Sequence, residues 1–541
     1  MLSYRKLAMR VPGRPLHTGG NDSPRPASQR AAAFILTAAM LTTFTAPAFA
    51  GTWYIEDGNI TVKAGETGND ITQNNVTTKN DTNTIITNRE DKASSNTVTI
   101  DANGKNDKVE VTLKDVNIDT SSRNKAAVSV TGEGDTNIKL NGDNALKSDI
   151  YRSGIYGSGS GSLTISGGEN DSLTAQGGSG ANGISSSGSL TISGGTVTAN
   201  GDDGGRGISS SGSVTISGGS TVTANGGNGT ISGGDGICSS GGVTISGGST
   251  VTANGGNGGS LIGGDGIRSG GGLTVSDGTV TAKGGNCDSK DGYGGDGIRS
   301  GGVVTISGNT VNAAGGNGGK VGGYGICSFD RVAISGGTVE AAGGNGSTGG
   351  GSGIYSSDID LSGSLELTAK AGSPNGKALS QRGSELNLDA IKDKLGPGAK
   401  VTVTDADGKV NQVSIPRPVE PEEPVIPEES SSSSDGGSAT PSAPASPLPG
   451  LTVTDKSGAV ISYTSTQSGN TLTVCVGRFT ASFRISLAAL RQLRAEGIET
   501  ITFQTILCST TLSVDELLAM GGEDAEAVLT HRSTDSSLTV G

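Results

Sequence analysis

Three aspartates occupy the same place in a repeated Gly-Ile motif, directly before the glycine. Asp235, Asp265 and Asp296 stand in three successive copies of the motif. If successive copies stack in the fold, their carboxylates lie side by side and repel one another, unless a cation binds between them or the side chains reach water. Ca²⁺ takes about six to eight oxygen ligands, and neighbouring glycine carbonyls can add to the carboxylates. The column is therefore a candidate calcium site, and a solvated acidic edge is the alternative.

Two arginines follow the Gly-Ile pair in two of these copies. Arg268 and Arg299 come three residues after Asp265 and Asp296. A guanidinium group binds carboxylates through paired, charge-assisted hydrogen bonds. The arginines are therefore candidate ligand-binding residues for the carboxylate of a uronic acid. The alternative is that they pair with the neighbouring aspartates.

The Gly-Ile motif belongs to an internal repeat whose copies are 24 to 31 residues apart. Each copy has three short segments in which apolar residues alternate with Thr or Ser, and this period of two is typical of strands. Pairs of glycines separate the segments and allow turns with positive φ. Three strands in about 28 residues predict one coil of a parallel β-solenoid. The copies begin at Gly154, Gly183, Gly207, Gly236, Gly266, Gly297, Gly325 and Gly353.

Aligning the copies predicts columns of identical side chains, because equivalent residues of successive coils lie about 4.8 Å apart. We expect the glycine-rich insertions after the third strand to form loops along one edge, and a column of Gly-Gly-Asn asparagines there to be structural. The second segment predicts an inward column of Ile165, Ile192, Ile216, Ile245, Val275, Ile306, Ile334 and Leu361. The third segment predicts a column of Val197, Val222, Val251, Val280, Val311 and Val339.

The composition agrees with a glycine-rich coil that has a narrow core. The chain has 94 glycines and sixteen aromatic residues in 541 positions. Its 16 prolines are too few for collagen, and its two histidines argue against a catalytic zinc protein. Cys238 and Cys327 fall in one column three coils apart, which is too far for a disulfide. We expect Cys475 to be a candidate partner for Cys508, and Cys287 to be free or bonded between chains.

The first fifty residues are typical of a secretory signal peptide. Six basic residues precede an uncharged apolar run at 31–41, and Ala48-Phe49-Ala50 resembles a cleavage site. The apolar run is too short for a comfortable membrane span, so we expect no span in the mature chain. Removing residues 1–50 leaves 33 basic and 51 acidic residues, a net charge of −18. Such a chain repels nucleic acid, and we expect it to be secreted or attached to the cell surface.

The C-terminal part of the chain changes composition twice. Residues 414–450 are rich in Pro, Glu and Ser, which predicts an extended, disordered linker. Residues 451–541 predict a small α+β module, with strands at Thr471–Val476, Ala481–Ile485 and Thr500–Leu507. Ser486 and Ser513 are predicted to cap two helices. This module is expected to contact the cell surface or another protein.

Several motifs together resemble a family of secreted bacterial carbohydrate-binding domains. They are the strand pattern at 111–118, Lys125-Ala126-Ala127-Val128, Asn144-Ala145-Leu146, and the repeated Gly-Ile and Thr-Ile-Ser-Gly-Gly sequences. The resemblance covers roughly 105–395. It implies a parallel β-helix that binds polygalacturonate with calcium present. The long glycine-rich insertions depart from the family pattern.

The sequence thus predicts an all-β protein with a signal peptide at 1–50, irregular coils and a cap at 51–150, and regular solenoid repeats at 151–413. The linker at 414–450 and the α+β module at 451–541 follow. The leading function is non-catalytic binding of a polysaccharide, with an acidic glycan as the favoured ligand. The alternatives are a structural surface stalk without a ligand and a pectate-lyase-like enzyme. Against the enzyme, the sequence offers no nucleophile–base pair.

Overall fold

A computed structural model describes residues 51–416 and 450–540, with gaps at 456–458, 462, 469, 477, 479, 506–508, 523–524 and 532–535. The predicted signal peptide and most of the predicted linker, at 417–449, lie outside the described residues. The chain divides into two compact units, Met1–Pro421 and Glu422–Gly541. Each unit is described by itself.

The first unit is a parallel β-solenoid of about 14 turns with about 28 residues per coil, which confirms the predicted fold class. Each regular coil contributes three strands, and each strand pairs in parallel with its equivalents in the coils before and after. The strands therefore form three stacks, which are numbered by the order of their strands within one regular coil. The first stack contains Ile60–Ala64, Val98–Ala102, Val128–Gly132, Ile155–Gly157, Ile184–Ser186, Ile208–Ser210, Ile237–Ser239, Ile267–Ser269, Ile298–Ser300, Ile326–Ile334, Ile354–Leu361 and Leu379–Gln381.

The other two stacks complete the coil, and the two long strands of the first stack, Ile326–Ile334 and Ile354–Leu361, continue into the second. The second stack contains Thr52–Tyr54, Ile85–Thr87, Lys108–Lys114, Asp135–Asn141, Leu163–Ser166, Leu190–Ser193, Val214–Ser217, Val243–Ile245, Leu273–Val275 and Val304–Ile306. The third stack contains Asn117–Asp119, Asp143–Lys147, Ser172–Ser179, Thr196–Asp202, Thr221–Asn225, Ser249–Asn254, Gly278–Lys283, Thr310–Ala314, Gly337–Ala342, Leu365–Lys370 and Lys400–Thr404.

The predicted columns lie in the core, together with a buried isoleucine column of the first stack. Ile216 pairs in register with Ile192 on one side and Ile245 on the other, and the whole second-stack column from Ile165 to Leu361 is fully buried. The valine column of the third stack is 0 to 1% exposed. Apolar side chains alternate with Thr and Ser because successive residues of a strand point to opposite faces. The inward side of each coil therefore fills with apolar residues, and a second-stack strand buries two of them, for example Leu190 with Ile192.

Antiparallel hairpins close both ends of the solenoid. At the N-terminal end, Asn69–Gln73 pairs antiparallel with Ile60–Ala64 and with Val76–Asp81. Trp53 packs against the core there, and its Nε1 donates to Asp81 Oδ2 at 2.7 Å. At the other end, Val410–Ser414 pairs antiparallel with Lys400–Thr404, and Ser384–Glu385 pairs antiparallel with Leu379–Gln381. Short 3₁₀ helices at Ile55–Asp57 and Leu388–Lys394 bury Ile55 and Ile391.

The glycine-rich insertions form an ordered edge between the third and first stacks. The Gly264 N–H donates to the Gly256 carbonyl, and the Gly256 N–H donates to the Gly234 carbonyl, each at 2.8 Å. A Cβ atom on Gly264 would lie 1.9 Å from the Gly234 oxygen. Glycine is required at this position because the backbones approach so closely. The expected loops along one edge are therefore stacked and hydrogen-bonded from coil to coil.

The described residues of the second unit form two four-stranded sheets and two α-helices. The helices, Leu487–Ala495 and Val514–Met520, begin after Ser486 and Ser513, whose hydroxyl groups accept from backbone N–H groups of the first turn. One sheet contains Leu451–Thr454, Ala481–Ser486, Glu526–His531 and Ser536–Val540, all antiparallel. The other contains Thr464–Ser468, Thr471–Cys475, Thr500–Gln504 and Ser509–Ser513, with a parallel pair in the middle.

Both predicted helix caps in this unit are thus confirmed. The strand predicted at Thr500–Leu507 is observed as Thr500–Gln504, and residues 506–508 lie outside the described residues. Phe483 and Phe503 pack with ring centroids 4.8 Å apart in the centre of the unit.

Candidate functional site

The three predicted aspartates lie in adjacent coils, at the corner where the chain enters the first stack. Asp235, Asp265 and Asp296 each precede a first-stack strand by one glycine, so the in-register pairing of those strands aligns them. Their side chains are 0 to 5% exposed. The expected column therefore exists, and it is a buried one.

One oxygen of each carboxylate binds the backbone of the next coil. The Asp265 N–H donates to Asp235 Oδ1 at 2.9 Å, and the Asp296 N–H donates to Asp265 Oδ1 at 2.8 Å. The Tyr324 N–H continues this aspartate ladder by donating to Asp296 Oδ1 at 2.7 Å. The ladder satisfies backbone donors at a corner where buried polar groups need partners.

The second oxygen of each carboxylate faces an arginine. Arg268 Nε lies 2.8 Å from Asp265 Oδ2 and 3.5 Å from Asp235 Oδ2. Arg299 Nη1 lies 3.2 Å from Asp296 Oδ2, and Arg206 Nε lies 3.2 Å from Asp235 Oδ2. We call Arg206, Arg268 and Arg299 the arginine patch. Arg268 and Arg299 therefore pair with the aspartates, as one of the two alternatives expected. Ligand binding by these arginines stays a prediction.

The guanidinium groups remain accessible although they are paired. Their side chains are 36 to 42% exposed, while the carboxylates beneath them are buried. Arg268 donates to Asp265 through its Nε. An arginine carries five N–H donors. The patch can therefore hold its aspartates and still present donors to a ligand.

Burial changes the charge of the ladder near neutral pH. Loss of solvent raises the pKa of Asp296 to about 7, and the neighbouring charge of Asp265 acts in the same direction. Burial also raises the pKa of Asp265, against the attraction of Arg268. An arginine side chain is not deprotonated in proteins. As pH falls towards and below 7, the corner therefore gains net positive charge.

The carboxylate oxygens already have donors, which bears on the calcium hypothesis. Each of the three aspartates accepts a backbone N–H at one oxygen and faces a guanidinium at the other. Within residues 51–416 and the described part of the second unit, no group of three or more His, Cys, Asp or Glu side chains is arranged to hold a metal. Calcium binding at Asp235, Asp265 and Asp296 stays a prediction, and an ion there would have to displace the arginines.

Aromatic side chains flank the C-terminal side of the patch. The rings of Tyr324 and Tyr355 stack with centroids 4.9 Å apart and planes 19° from parallel. The Arg299 guanidinium lies 5.2 Å from the centre of the Phe329 ring. These aromatics are not among the site residues that the sequence predicts. The alignment contained a signal for two of them, since Tyr324 takes the aspartate position of its coil and Tyr355 takes the arginine position.

The cysteines near the patch are free thiols. Cys238 and Cys327 occupy the same register as Arg268 and Arg299, one coil before and one coil after them. Both are free, which confirms that they are not bonded to each other. Burial raises the pKa of Cys327 to about 12 and also raises that of Cys238. These thiols are therefore protonated and poor nucleophiles.

The remaining cysteines have different surroundings. Cys287 is free and buried within the insertion edge. Cys475 is free, with its Sγ 3.4 Å from Gln504 Oε1. Its proposed partner, Cys508, lies outside the described residues.

A ladder of asparagines on the insertion edge resembles the aspartate ladder. Each side-chain Oδ1 accepts a backbone N–H of the next coil at 2.7 to 2.9 Å, and the donor is the next asparagine in four cases and Ser373 in the last. The side-chain oxygens thus bind the backbone of the neighbouring coil, which agrees with the structural role expected for this column. The members are Asn228, Asn257, Asn286, Asn317 and Asn345.

A search with this chain against protein-family profiles, curated proteins and solved structures finds no match. In the part of the chain that the structure describes, no helix has the length and apolar character needed to span a bilayer.

Proposed function

We propose that this protein binds an extended acidic polysaccharide without cleaving it, and that the arginine patch on the first stack is the binding surface. One observation carries the proposal. Half-exposed guanidinium groups lie in neighbouring coils over buried carboxylates that hold them in place. The surface is linear because it repeats with the coil.

The geometry of the solenoid suits a polymer. Arg268 and Arg299 pair in register in adjacent first-stack strands, so their backbones lie about 4.8 Å apart. The repeat of a pyranose ring along an extended glycan is similar. A polysaccharide that runs parallel to the solenoid axis can therefore meet one side chain per sugar. Guanidinium groups bind carboxylates strongly because the hydrogen bonds are charge-assisted.

The flanking aromatics support a sugar ligand. Tyr324 and Tyr355 extend the surface beyond Arg299 with stacked rings. Aromatic side chains combine a large apolar face with a polar tip, which matches the mixed surface of a sugar ring. A polymer can therefore continue from the arginines onto this pair.

We expect no catalysis at the arginine patch, because the acidic groups there are already engaged. Asp265 and Asp296 accept a backbone N–H and face a guanidinium. A general acid or base must reach the proton that it transfers. The signal-like sequence at 1–50 supports secretion or display on the cell surface, where polysaccharides are available.

The test is binding of polygalacturonate to the full chain, measured by titration calorimetry. We expect the wild-type protein to bind polygalacturonate more tightly than a neutral glycan such as methylcellulose. The double variant R268Q/R299Q should weaken the affinity at least tenfold. Added salt should weaken the wild-type complex, because screening reduces attraction between exposed charges.

The matched control is K283Q/K370Q, which removes two positive charges from exposed positions of the third stack. This control should leave the affinity nearly unchanged. An equal loss of affinity in both double variants would show that binding depends on overall charge, and it would overturn specific binding at the arginine patch. Absence of polygalacturonate binding by the wild type would favour the structural stalk. Release of unsaturated or reducing ends during incubation would favour the enzyme.

A further inference from the structure

A depression on the first stack lies three to four coils before the centre of the arginine patch. Its volume is about 310 Å³. It is concave, whereas the patch is a row on an open face. Tyr156, Lys125, Arg152 and Asn124 are among the residues that line it.

The depression shares a column with the patch. Tyr156 pairs in register with Ser185, and Ser185 pairs in register with Ser209. Arg206 Nη1 lies 3.5 Å from Ser209 Oγ, so the column leads directly to the patch. Two strand spacings, about 10 Å, separate Tyr156 from Ser209. A polymer on the patch can therefore reach the depression along the same face.

Small hydroxyl residues make the floor. Thr99 and Ser129 stand in the two coils before Tyr156 and pair with each other in register. Both are half-buried, and neither side chain makes a hydrogen bond to another described residue. The side chains of Thr99 and Ser129 are short, whereas that of Tyr156 is long. The aromatic ring therefore forms a wall beside two hydroxyl groups that are available to a ligand. The Tyr156 side chain is 43% exposed.

The charge of the depression is positive in an acidic protein. Its lining contains Lys125 and Arg152 and no acidic residue, although the whole chain carries a net charge of −13. Arg152 Nε donates to Asn124 Oδ1 at 3.3 Å, which orients the guanidinium along the rim. Asn124 has a φ of 52°, a left-handed conformation uncommon outside glycine. The backbone N–H of Asn124 donates to the Asp149 carboxylate, which holds that turn in place.

We infer that this depression binds a single uronic acid residue. The sugar ring lies against Tyr156, its hydroxyl groups bond to Thr99 and Ser129, and its carboxylate faces Lys125 and Arg152. The inference rests on the proposed function, since the same acidic polysaccharide supplies the residue. The protein would then contact the polysaccharide in two ways, through the row of arginines and through one sugar bound in a concave site.

The experiment titrates the full chain with galacturonic acid and with galactose, its neutral counterpart, by calorimetry at fixed ionic strength. We expect galacturonic acid to bind at least tenfold more tightly than galactose. The variants Y156S and R152Q should each weaken galacturonic acid binding about tenfold, equivalent to about 1.4 kcal/mol. Serine is the residue that the next two coils carry at the Tyr156 position, so Y156S preserves the strand.

The control is Y293S, which removes a partly exposed tyrosine from the insertion edge and should leave the monosaccharide affinity unchanged. Unfolding curves of all variants should match that of the wild type. Failure of galacturonic acid to bind, equal affinity for galactose, or an unchanged affinity in both Y156S and R152Q would overturn the inference.

The two proposals can fail separately. R268Q/R299Q should lose polygalacturonate affinity and keep the galacturonic acid affinity. Wild-type binding of polygalacturonate without binding of the monosaccharide would overturn this inference and leave the proposed function intact. Binding of the monosaccharide without binding of the polymer would overturn the proposed function and leave this inference intact.

Discussion

Each buried aspartate of the ladder accepts a backbone N–H with one oxygen and faces an arginine with the other. The first contact does not need a negative charge, whereas the second benefits from one. The Oδ1 atom of Asp296 accepts the Tyr324 N–H, which a neutral side chain can also do. Asn182 does so at the equivalent position of an earlier coil, where its Oδ1 accepts the Arg206 N–H at 2.8 Å. The Oδ2 atom faces Arg299, and this contact benefits from the negative charge. Burial opposes that charge.

The raised pKa of Asp296 predicts a pH-dependent stability. The folded protein binds a proton at Asp296 up to about pH 7, whereas the unfolded chain releases it near the ordinary value of 3.8. The folded state therefore holds more protons between these values, and the free energy of unfolding falls as pH rises from about 4 to about 7. Above pH 7 both states are ionised and this contribution is constant.

The variant D296N should remove this penalty. We expect D296N to be more stable than wild type at pH 8, by on the order of 1 kcal/mol, and equally stable at pH 4. Chemical denaturation of the full chain at both pH values measures the difference. D291N, at an exposed aspartate, is the control. A D296N protein less stable than wild type at pH 8 would mean that the ion pair with Arg299 outweighs desolvation.

His531 gives the second unit a dependence of opposite sign. It is fully buried, its Nε2 lies 2.9 Å from Thr510 Oγ1, and its Nδ1 has no partner among the described residues. Burial lowers its pKa below the ordinary value of 6.5. The unfolded chain therefore binds a proton first as pH falls, and the free energy of unfolding of this unit decreases below about pH 6.5.

Hydrogen exchange measured by mass spectrometry can test this in the full chain. Peptides covering Glu526–His531 should lose protection between pH 7.5 and pH 5.5, after correction for intrinsic exchange rates. H531Q should reduce this change, because glutamine does not titrate. An unchanged protection in the wild type would contradict a buried neutral histidine.

At the scale of elements, the glycine-rich insertions act as a packed layer. Backbone N–H groups bond to carbonyls of the neighbouring segments of the same and adjacent coils, for example from Gly285 to Gly264 at 2.8 Å. The insertions are therefore part of the solenoid and extend its hydrogen bonding beyond the three strand stacks. Their order depends on the absence of side chains at the points of closest approach.

Substitution of a packed glycine should disrupt this layer. In G264A the new Cβ would meet the Gly234 carbonyl at 1.9 Å, and we expect a loss of roughly 1–3 kcal/mol in the free energy of unfolding. G349A is the matched control on the same edge, because a Cβ there meets nothing closer than 4.0 Å. Denaturation of both variants makes the comparison. Equal stability of G264A and G349A would show that the backbones do not pack as closely as described.

At the scale of the whole molecule, the solenoid is a one-dimensional stack whose ends have neighbours on one side. Stability in such repeats is close to a sum of coil and interface contributions, so terminal coils open most easily. The antiparallel hairpins at both ends supply the missing neighbour. At the N-terminal end, Asp81 accepts from the Gly51 N–H as well as from Trp53 Nε1, which ties the start of the first described strand to the hairpin.

Trp53 is the single tryptophan of the chain and so reports on this cap. In denaturant, we expect the tryptophan fluorescence transition at a lower concentration than the far-ultraviolet circular dichroism transition. D81A should lower the fluorescence midpoint further and leave the dichroism midpoint nearly unchanged, with D291N as control. Coincident shifts of both midpoints in D81A would show that the cap and the central coils unfold as one unit.

The sequence by itself determined the coil, its three strands and the register of its columns. Ile216, Ile245 and Val222 could be placed in the core because a strand has a period of two and the coil repeats, so linear positions convert directly into stacked ones. The alignment of Asp235, Asp265 and Asp296, and the separation of Cys238 from Cys327, followed from the same rule.

The tertiary structure decided what these columns do, because atomic partners and burial depend on distances between coils. The aspartates appeared as an exposed edge or an ion site, but the corner buries them and gives each one a backbone N–H and an arginine. The depression beside Tyr156 could not be predicted from the sequence, because the depth of a surface depends on how neighbouring coils pack. Composition and spacing determine which residue types share a face. The solvent exposure of these residues depends on how the coils stack, and exposure sets both their charge and their access to a ligand.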